Sequence, residues 1–350
     1  MKHEIGFVAV GQAGGNIGSV LEDKGFNVFY LNTSEEDLAT LQKAKHKYHI
    51  KGGEGCHKDR EKAKTLLAKD YDQILEEIKT KVPENIVFVI FSTGGGTGSG
   101  IGPVMVDILN DELGKKAGAV AVLPGKNETV KSFMNTYECV RELADLEDTA
   151  ACFFIDNGSH ADRFVLNKAF AEQFDYLIGI PEQNKDVKGN LDRAELKEIL
   201  CTKGAAAIYK AKQDKFDGEN KVINSLRNNG MYAMSEDRVI KYIGVSSRTP
   251  LNMDVLQKEF GSYLDYFQSY NDDTVLCIFS GLSFPFNRIL SMKEQVDQEK
   301  DKIIGNMRAV HDNPLKDDIN FLSAGKADTK TAPEKKKRSC RDMLSKYNKQ

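Results

Sequence analysis

The sequence of 350 residues lacks the long apolar run that a membrane-spanning helix requires. No stretch approaches the roughly 18 apolar residues that a span needs, and the first residues, Met1–Phe7, contain no apolar signal core. We therefore expect a cytosolic protein that makes no use of a membrane. Hydrophobic residues make up 40% and charged residues 29% of the chain, which is typical of a folded protein with room for two domains.

The sequence also lacks the paired cysteines that mark disulfide frameworks and zinc sites. Its six cysteines are scattered, and no two of them form a C-x-x-C motif. We expect them to be reduced thiols.

Charge is distributed unevenly along the chain. The formal net charge is −3, yet Lys326–Gln350 holds nine Lys or Arg against three Asp or Glu, or +6, which leaves −9 for the remainder. A basic end on an acidic body indicates either a contact with a negatively charged partner or a solvated, solubilising tail.

A glycine-rich segment follows the most apolar run in the sequence. Ile86–Phe91 predicts a buried strand, and five of the seven residues in Gly94–Gly100 are glycine. Pro103 and the apolar spacing after it predict a helix. A strand, a glycine loop and a helix N-terminus together suit a phosphate chain. The loop has no Lys, which excludes a Walker A motif and requires the neutralising charge to come from a metal or from elsewhere in the chain.

A second segment of the same kind opens the chain. Ile5–Val10 predicts a strand, Gly11–Gly18 a glycine turn leading into a helix, and Asn27–Leu31 a second strand. This βαβ pattern also occurs in dinucleotide-binding enzymes, whose fingerprint is G-x-G-x-x-G with an acidic residue near the ribose. Ala13 stands where the second glycine should be, while Glu35 and Glu36 could serve as the acid. An NAD-dependent oxidoreductase therefore stays open as an alternative.

The segment Gly94-Gly-Gly-Thr-Gly-Ser-Gly100 resembles the signature loop of the tubulin and FtsZ superfamily of GTPases. The resemblance implies an α/β fold, with a Rossmann-like parallel-sheet GTPase domain at residues 1–160 and a central helix at 161–188. It further implies a smaller α+β C-terminal domain at 189–311 and a flexible basic tail at 312–350. The expected ligands are GTP or GDP with Mg²⁺.

The resemblance also implies which residues bind the nucleotide. Five loops contribute Gly11, Gln12, Ala13 and Asn16 (first loop), Asn32 (second), Gly52 and Gly53 (third), Gly94, Gly95, Gly96, Thr97 and Gly98 (fourth), and Pro124 and Glu128 (fifth). Asn157 is implied to hydrogen-bond the guanine, Phe170 to stack on it, and Asp175 to accept from its edge. Judged from the residues alone, Asn157 also suits an Asx turn and Phe170 the protein core.

Asn190, Asp192 and Glu195 are the expected catalytic residues. They lie in Gly189-Asn-Leu-Asp-Arg-Ala-Glu195, which is similar to the FtsZ loop that enters the nucleotide pocket of the next subunit and polarises the attacking water. Without the resemblance, the same residues predict a helix start with acidic residues in its first turn.

For the remaining chain, we expect the central helix to end near Gly179, ahead of Pro181. We also expect a basic helix at Lys203–Lys212. Strands are predicted at Val239–Ser246 and Thr274–Leu282, with a helix near Leu251–Phe267 between them.

The sequence thus predicts a GTP-hydrolysing protein that assembles head to tail into filaments. Among the branches of the superfamily it is most similar to the TubZ-type proteins of plasmids and bacteriophages. That similarity implies DNA partition through a DNA-bound adaptor protein that engages the tail, or direct contact between the basic tail and DNA. An FtsZ-like cell-division protein and a phage DNA-positioning tubulin are the alternatives within the family.

Overall fold

A single sheet organises the part of the chain that the structure describes. The computed structural model describes residues 1–311 except 184–188, 190, 216, 229, 237–238 and 272, so the predicted tail lies outside it. The strands are β1 (Ile5–Val10), β2 (Asn27–Asn32), β3 (His46–His49), β4 (Ile86–Ser92), β5 (Lys116–Leu123), β6 (Ala151–Asp156), β7 (Gly204–Lys212), β8 (Val239–Ser247), β9 (Ser262–Tyr270) and β10 (Thr274–Leu282). Their order in the sheet is β3-β2-β1-β4-β5-β6-β7-β10-β8-β9.

The first seven strands form a parallel sheet. Neighbouring strands from β3 to β7 all pair in parallel, with Ile5 opposite Ile86 and Ala9 opposite Ile90 where β1 meets β4. All six residues of β1 and the first six of β4 are buried, as expected for strands that are covered on both faces. The carboxyl ends of the strands therefore meet at one edge of the sheet.

Helices connect and cover the strands. They are α1 (Gly11–Asp23), α2 (Glu35–Thr40), α3 (Arg60–Lys69), α4 (Tyr71–Lys81), α5 (Thr97–Asp111), α6 (Val130–Ala144), α7 (Arg163–Gln183), α8 (Arg193–Cys201), α9 (Glu219–Asn228), α10 (Met253–Phe260) and α11 (Phe286–His311), with a short 3₁₀ helix at Lys2–Glu4. Among the described residues, no helix is long and apolar enough to cross a membrane.

Helices α1 and α5 lie very close to the sheet. A Cβ added to Gly14 would be 2.4 Å from the carbonyl oxygen of Ile90, and one added to Gly102 would be 2.4 Å from the ring of Phe91. No side chain fits at either point, so glycine is required by packing.

The central helix α7 is longer than predicted. It runs through Pro181 to Gln183 instead of ending near Gly179. Because Pro181 lies in the last turn, its missing N–H removes one hydrogen bond without interrupting a longer helix. The buried ring of Phe174 fixes α7 on the sheet through edge contacts at 5.5, 5.6 and 6.0 Å with Phe7, Phe88 and Phe153.

The second half of the chain extends the same sheet. Strand β10 pairs antiparallel with both β7 and β8, and β9 pairs in parallel with β8. The strands predicted at Val239–Ser246 and Thr274–Leu282 are confirmed, as is the α/β fold class.

One helix prediction in this half is wrong, and another gives a helix that is too long. Residues 204–212 form strand β7 because pairing with β6 and β10 outweighs the helix preference of its alanines. Helix α10 occupies only Met253–Phe260 of the predicted helix, and Gly261, with a φ of 119°, turns the chain into strand β9.

Substitution of Gly14 by Ala should destabilise the fold. The new methyl group would meet the main chain of β4, which cannot move, so we expect a loss of about 1–3 kcal/mol in the free energy of unfolding. Gly305→Ala is the control, because an added Cβ meets nothing within 4 Å at that exposed position of α11. It should gain about 0.5–1 kcal/mol from helix propensity. Urea denaturation of both variants checks this, and equal stabilities would contradict it.

Candidate functional site

A cavity of about 550 Å³ opens at the carboxyl ends of the parallel strands. It is lined by Val10, Gly11, Gln12, Ala13, Asn16, Asn32, Ser34, Glu36, Asp37, Glu54, Gly55, Cys56, His57, Lys58, Ser92, Gly94, Gly95, Gly96, Thr97, Gly98, Val122, Pro124, Glu128, Ser132, Asn157, Arg163 and Asn167. Every residue predicted in the first, second, fourth and fifth loops is therefore at the cavity wall.

The glycines of the fourth loop serve two purposes. A Cβ on Gly98 would be 3.0 Å from the main chain of Ser92, and one on Gly100 would be 2.7 Å from the carbonyl oxygen of Arg60, so both glycines are required for packing. Gly95 differs, because an added Cβ there meets nothing within 4 Å. Its bare backbone faces open space in the cavity, where a ligand can approach the chain closely.

Two helix N-termini point at this space. Helix α1 begins at Gly11, and α5 begins at Thr97. The helices meet there, since a Cβ on Gly11 would lie 3.4 Å from the amide nitrogen of Gly98. The hydroxyl of Thr97 is hydrogen-bonded to that of Thr33 at 2.7 Å. Free N–H groups and the positive ends of two helix dipoles make this corner of the cavity suited to anions.

The third loop contributes different residues from those predicted. Gly52 and Gly53 do not line the cavity, and Gly53 packs against Thr33, whose carbonyl oxygen would be 2.6 Å from an added Cβ. The cavity wall is formed instead by the next residues, from Glu54 to Lys58. His57 and Lys58 both adopt positive φ, at 46° and 61°.

Buried Asn135 ties the third loop to the fourth. Its Nδ2 group donates to the carbonyl oxygens of Lys58 at 3.0 Å and Gly95 at 2.9 Å, with that of Gly94 at 3.3 Å. Two hydrogens are thus shared among three acceptors. One amide therefore fixes the distance between the two loops. No pattern in the sequence marks this role, because Asn135 lies within the helical spacing of α6.

The other end of the cavity carries amide groups. The Oδ1 atom of Asn157 is buried and has no hydrogen-bond partner among the described residues. Buried oxygens of this kind are rare, and a ligand that donates a hydrogen would satisfy it. The preceding Asp156 is held by the guanidinium of Arg288 from α11 at 3.0 Å, and Arg288 also donates to the carbonyl oxygen of Pro124 at 3.0 Å. The loop that contains Asn157 is thus fixed to the fifth loop at Pro124.

Two residues of α7 that were predicted to contact the base lie away from the cavity. Phe170 is fully buried against Phe153, with ring centroids 5.7 Å apart, and belongs to the core. Asp175 lies outside the cavity, paired with Lys2 at 2.5 Å. The helix presents Arg163 and Asn167 to the cavity instead.

The residues of α7 that line the cavity lie about two turns closer to its N-terminus than predicted, and helix geometry explains this difference. Arg163, Asn167, Phe170 and Phe174 share one face of α7, but only the two nearest its N-terminus line the cavity, while the two phenylalanines pack on Phe153 of the core. The sequence feature that could have predicted this contact is Asn167, a polar residue at a position of the helix where apolar side chains recur.

The predicted catalytic carboxylates lie elsewhere. Asp192 caps α8 by accepting from the amides of Ala194 at 2.7 Å and Glu195 at 2.9 Å, and Glu195 accepts from the amide of Asp192 at 2.9 Å. The pair thus forms a capping box. Burial raises the pKa of Glu195 above its usual range, and the charges of Asp192 and Asp265 add to this. Asn190 lies outside the described residues.

This pair is at the opposite edge of the sheet from the cavity. On α8, Lys197 pairs with Glu4, directly before β1, whereas the cavity begins after β1 at Gly11. A strand of six residues spans about 20 Å. One copy of the chain therefore cannot bring Asp192 or Glu195 to its own cavity.

Comparison with known proteins identifies the fold. Residues 4–162 match the family described as "Tubulin/FtsZ family, GTPase domain". This part of the chain therefore matches the GTPase domain of the tubulin/FtsZ family. This family binds GTP and GDP. The strand order β3-β2-β1-β4-β5-β6 also occurs in dinucleotide-binding folds, so the family match, rather than the topology, favours a GTPase over the oxidoreductase alternative.

Known proteins match this chain over most of its length. The tubulin-like protein TubZ of Clostridium botulinum C phage is 26% identical over 362 residues, which cover 99% of this chain and 100% of that protein. The crystal structure of Clostridium botulinum phage c-st TubZ has a TM-score of 0.78 at 26% identity and covers 86% of this chain and 100% of its own. The structure of a GTPγS-form protofilament of Bacillus thuringiensis serovar israelensis TubZ shows the same fold, with a TM-score of 0.72 at 16% identity, covering 87% and 94%.

Replacement of Asn135 by Ala should loosen the cavity wall. It leaves the carbonyl oxygens of Lys58 and Gly95 without a donor, and a lost buried partner costs about 1–3 kcal/mol. We expect this loss of stability together with faster hydrogen exchange of the amides at 55–58 and 94–96, measured by mass spectrometry. The exposed Asn127, replaced by Ala, is the control. Unchanged exchange in both segments would show that Asn135 does not hold the loops.

Proposed function

We propose that this GTPase assembles head to tail into filaments and hydrolyses GTP where two subunits meet. The observation that carries the proposal is the separation of the cavity from Asp192 and Glu195, which lie at opposite edges of one sheet. Stacking of identical subunits along the strand direction would bring the carboxylates of one copy to the cavity of the next. Such a contact is heterologous, and one that does not close into a ring gives a filament.

GTP would lie along the cavity with its phosphates at one end and its guanine at the other. The phosphates would bind at Gly11 and the fourth loop, Gly94–Gly98, where two helices begin. The guanine would lie at Asn157 and Asn167, whose amide oxygens can accept from the N–H groups on its edge. Arg163 could cover the base with its planar guanidinium, since arginine stacks on aromatic rings. This assignment replaces the predicted roles of Phe170 and Asp175.

Mg²⁺ fits the donor groups at the cavity wall. Among the described residues, no cluster of three or more His, Cys, Asp or Glu side chains is arranged as a metal site. Mg²⁺ in nucleotide sites is usually held by phosphate oxygens, water and one or two carboxylates. Glu36, Asp37 and Glu54 line the cavity and offer such oxygens. Bound there, the ion would neutralise phosphate charge.

Asp192 and Glu195 would act on the water that attacks the terminal phosphate. Phosphoryl transfer depends mainly on positioning and electrostatics, so fixed carboxylates that accept hydrogen bonds from the water suffice. The capping box holds both side chains in place before the subunits meet. The raised pKa of Glu195 brings this carboxylate closer to the range of an effective general base.

We further propose that the filament partitions plasmid or phage DNA. The support is the relation to TubZ of Clostridium botulinum C phage over the full length of both proteins, together with the +6 charge of Lys326–Gln350. The basic tail would engage a DNA-bound adaptor protein, or would contact DNA phosphates itself, in which case binding weakens as salt increases.

Asn167 and Asp175 distinguish the two assignments of the base site. Asn167→Ala should weaken GTP binding about 10-fold or more, because a buried hydrogen bond to the base is lost. Asp175→Asn should leave GTP affinity unchanged, because this carboxylate pairs with Lys2 outside the cavity. Titration with a fluorescent GTP analogue checks both variants. A loss of affinity in Asp175→Asn alone would favour Asp175 as the base contact.

Asp192→Asn and Glu195→Gln test the shared site. Both changes remove a carboxylate while Asn keeps the helix cap and Gln keeps the capping-box acceptor. We expect filaments to form with GTP, as seen by light scattering, but hydrolysis to fall at least 100-fold. In the native protein, hydrolysis should appear only above the concentration at which scattering begins. Hydrolysis that is proportional to concentration without scattering would contradict a shared site.

Mixing of two inactive variants sharpens this test. Gly95→Leu places a side chain in the open space above the fourth loop, where an added Cβ meets no protein atom within 4 Å, so it should block phosphate binding in a folded subunit. Alone, neither Gly95→Leu nor Asp192→Asn should hydrolyse GTP. Together they should regain activity, because the intact cavity of one variant meets the intact Asp192 of the other. Failure to regain activity in filaments that contain both variants would count against the proposal.

A further inference from the structure

The ammonium group of Lys58 lies at the N-terminus of helix α6. Its Nζ donates to the hydroxyls of Thr129 at 2.9 Å and Ser132 at 2.7 Å. Thr129 is the N-cap of α6, so the cation lies at the positive end of a helix dipole, where anions are favoured. Within the part of the chain that the structure describes, Lys58 forms no ion pair. The neighbouring carboxylate of Glu128 is already paired with Arg163 at 2.5 Å.

The position of Lys58 is fixed relative to the fourth loop. Its carbonyl oxygen is bound by Asn135, which also binds Gly95. Ser132, which holds the ammonium group, touches the same loop, because a Cβ on Gly94 would be 3.2 Å from the Cβ of Ser132. The main chain and the ammonium group of Lys58 are therefore both held beside the fourth loop, whose backbone faces the open part of the cavity.

Lys58 and Arg163 are the two Lys or Arg side chains among the described residues at the cavity wall. Arg163 has a carboxylate partner and lies by the amide end of the cavity. Lys58 has hydroxyl partners only, and its side chain can turn from them to an anion without breaking an ion pair. A phosphate chain at Gly94–Gly98 would bring several negative charges to this cation.

We propose that Lys58 binds the phosphate chain of the nucleotide and supplies the positive charge that the fourth loop, having no lysine, does not provide. This inference rests on the proposed nucleotide function of the cavity. On binding, the ammonium group exchanges its bonds to Thr129 and Ser132 for phosphate oxygens. This exchange breaks no ion pair among the described residues, so more of the charge-assisted attraction to the phosphate is retained than for a lysine already paired with a carboxylate.

Binding of guanosine, GDP and GTP to Lys58→Met separates this role from a structural one. Guanosine should bind as to the native protein, whereas GDP and GTP should bind about 10- to 100-fold more weakly, as expected for a lost charge-assisted hydrogen bond. Lys58→Arg should restore most of the affinity. Lys58→Gln, which keeps a donor without the charge, should behave like Lys58→Met, and it serves if the methionine variant does not fold.

The matched control is Lys79→Met, which removes an exposed lysine of α4 that does not line the cavity. It should leave all three affinities unchanged, so that a general change in net charge is excluded. Equal weakening of guanosine, GDP and GTP in Lys58→Met would indicate a collapsed loop and would overturn the inference, as would unchanged affinities. Native protein that binds none of the three compounds would instead refute the proposed function of the cavity.

Discussion

The close contact of two helices with the sheet is the constraint on which the site depends. Helix α1 crosses β4 at Gly14, and α5 crosses it at Gly102, each at a distance that admits no side chain. The contact fixes where both helices begin, since each comes shortly after the end of a strand. Their N-termini consequently converge on one corner of the cavity. A helix held one side chain further from the sheet would point its dipole elsewhere.

The loops at the cavity are held from behind by buried polar groups. Arg60 and Lys64 of α3 pair with Glu142 of α6 at 2.5 and 2.7 Å, and Arg60 also donates to the carbonyl oxygen of Ser99 in α5. Removal of one partner from such a buried group is costly, because it leaves an uncompensated charge. The third loop, which directly precedes α3, is thus anchored by this cluster on one side and by Asn135 on the other. Rigid support of this kind lets flexible backbone present N–H groups accurately.

Features that arise from local chemistry could be predicted from the sequence. Apolar runs predicted the parallel strands β1, β2 and β4, and glycine segments predicted both helix N-termini at the cavity. Features that depend on tertiary position were missed. Which turn of α7 clears the sheet edge decides that Asn167 meets the cavity while Phe170 is buried, and periodicity is the same for both. Likewise, the alanine-rich segment of β7 forms a strand because it pairs with both β6 and β10. No local sequence pattern contains this information.

Helix α7 joins the two edges of the sheet at which the proposed half-sites lie. Its 21 residues, Arg163–Gln183, extend over about 30 Å. They connect Asn167 at the cavity with Glu182, which pairs at 2.8 Å with Arg193, the residue after Asp192. Because Pro181 does not interrupt the helix, and Phe174 is enclosed by aromatic rings of the sheet, α7 holds the two proposed half-sites at a fixed separation along the strand direction.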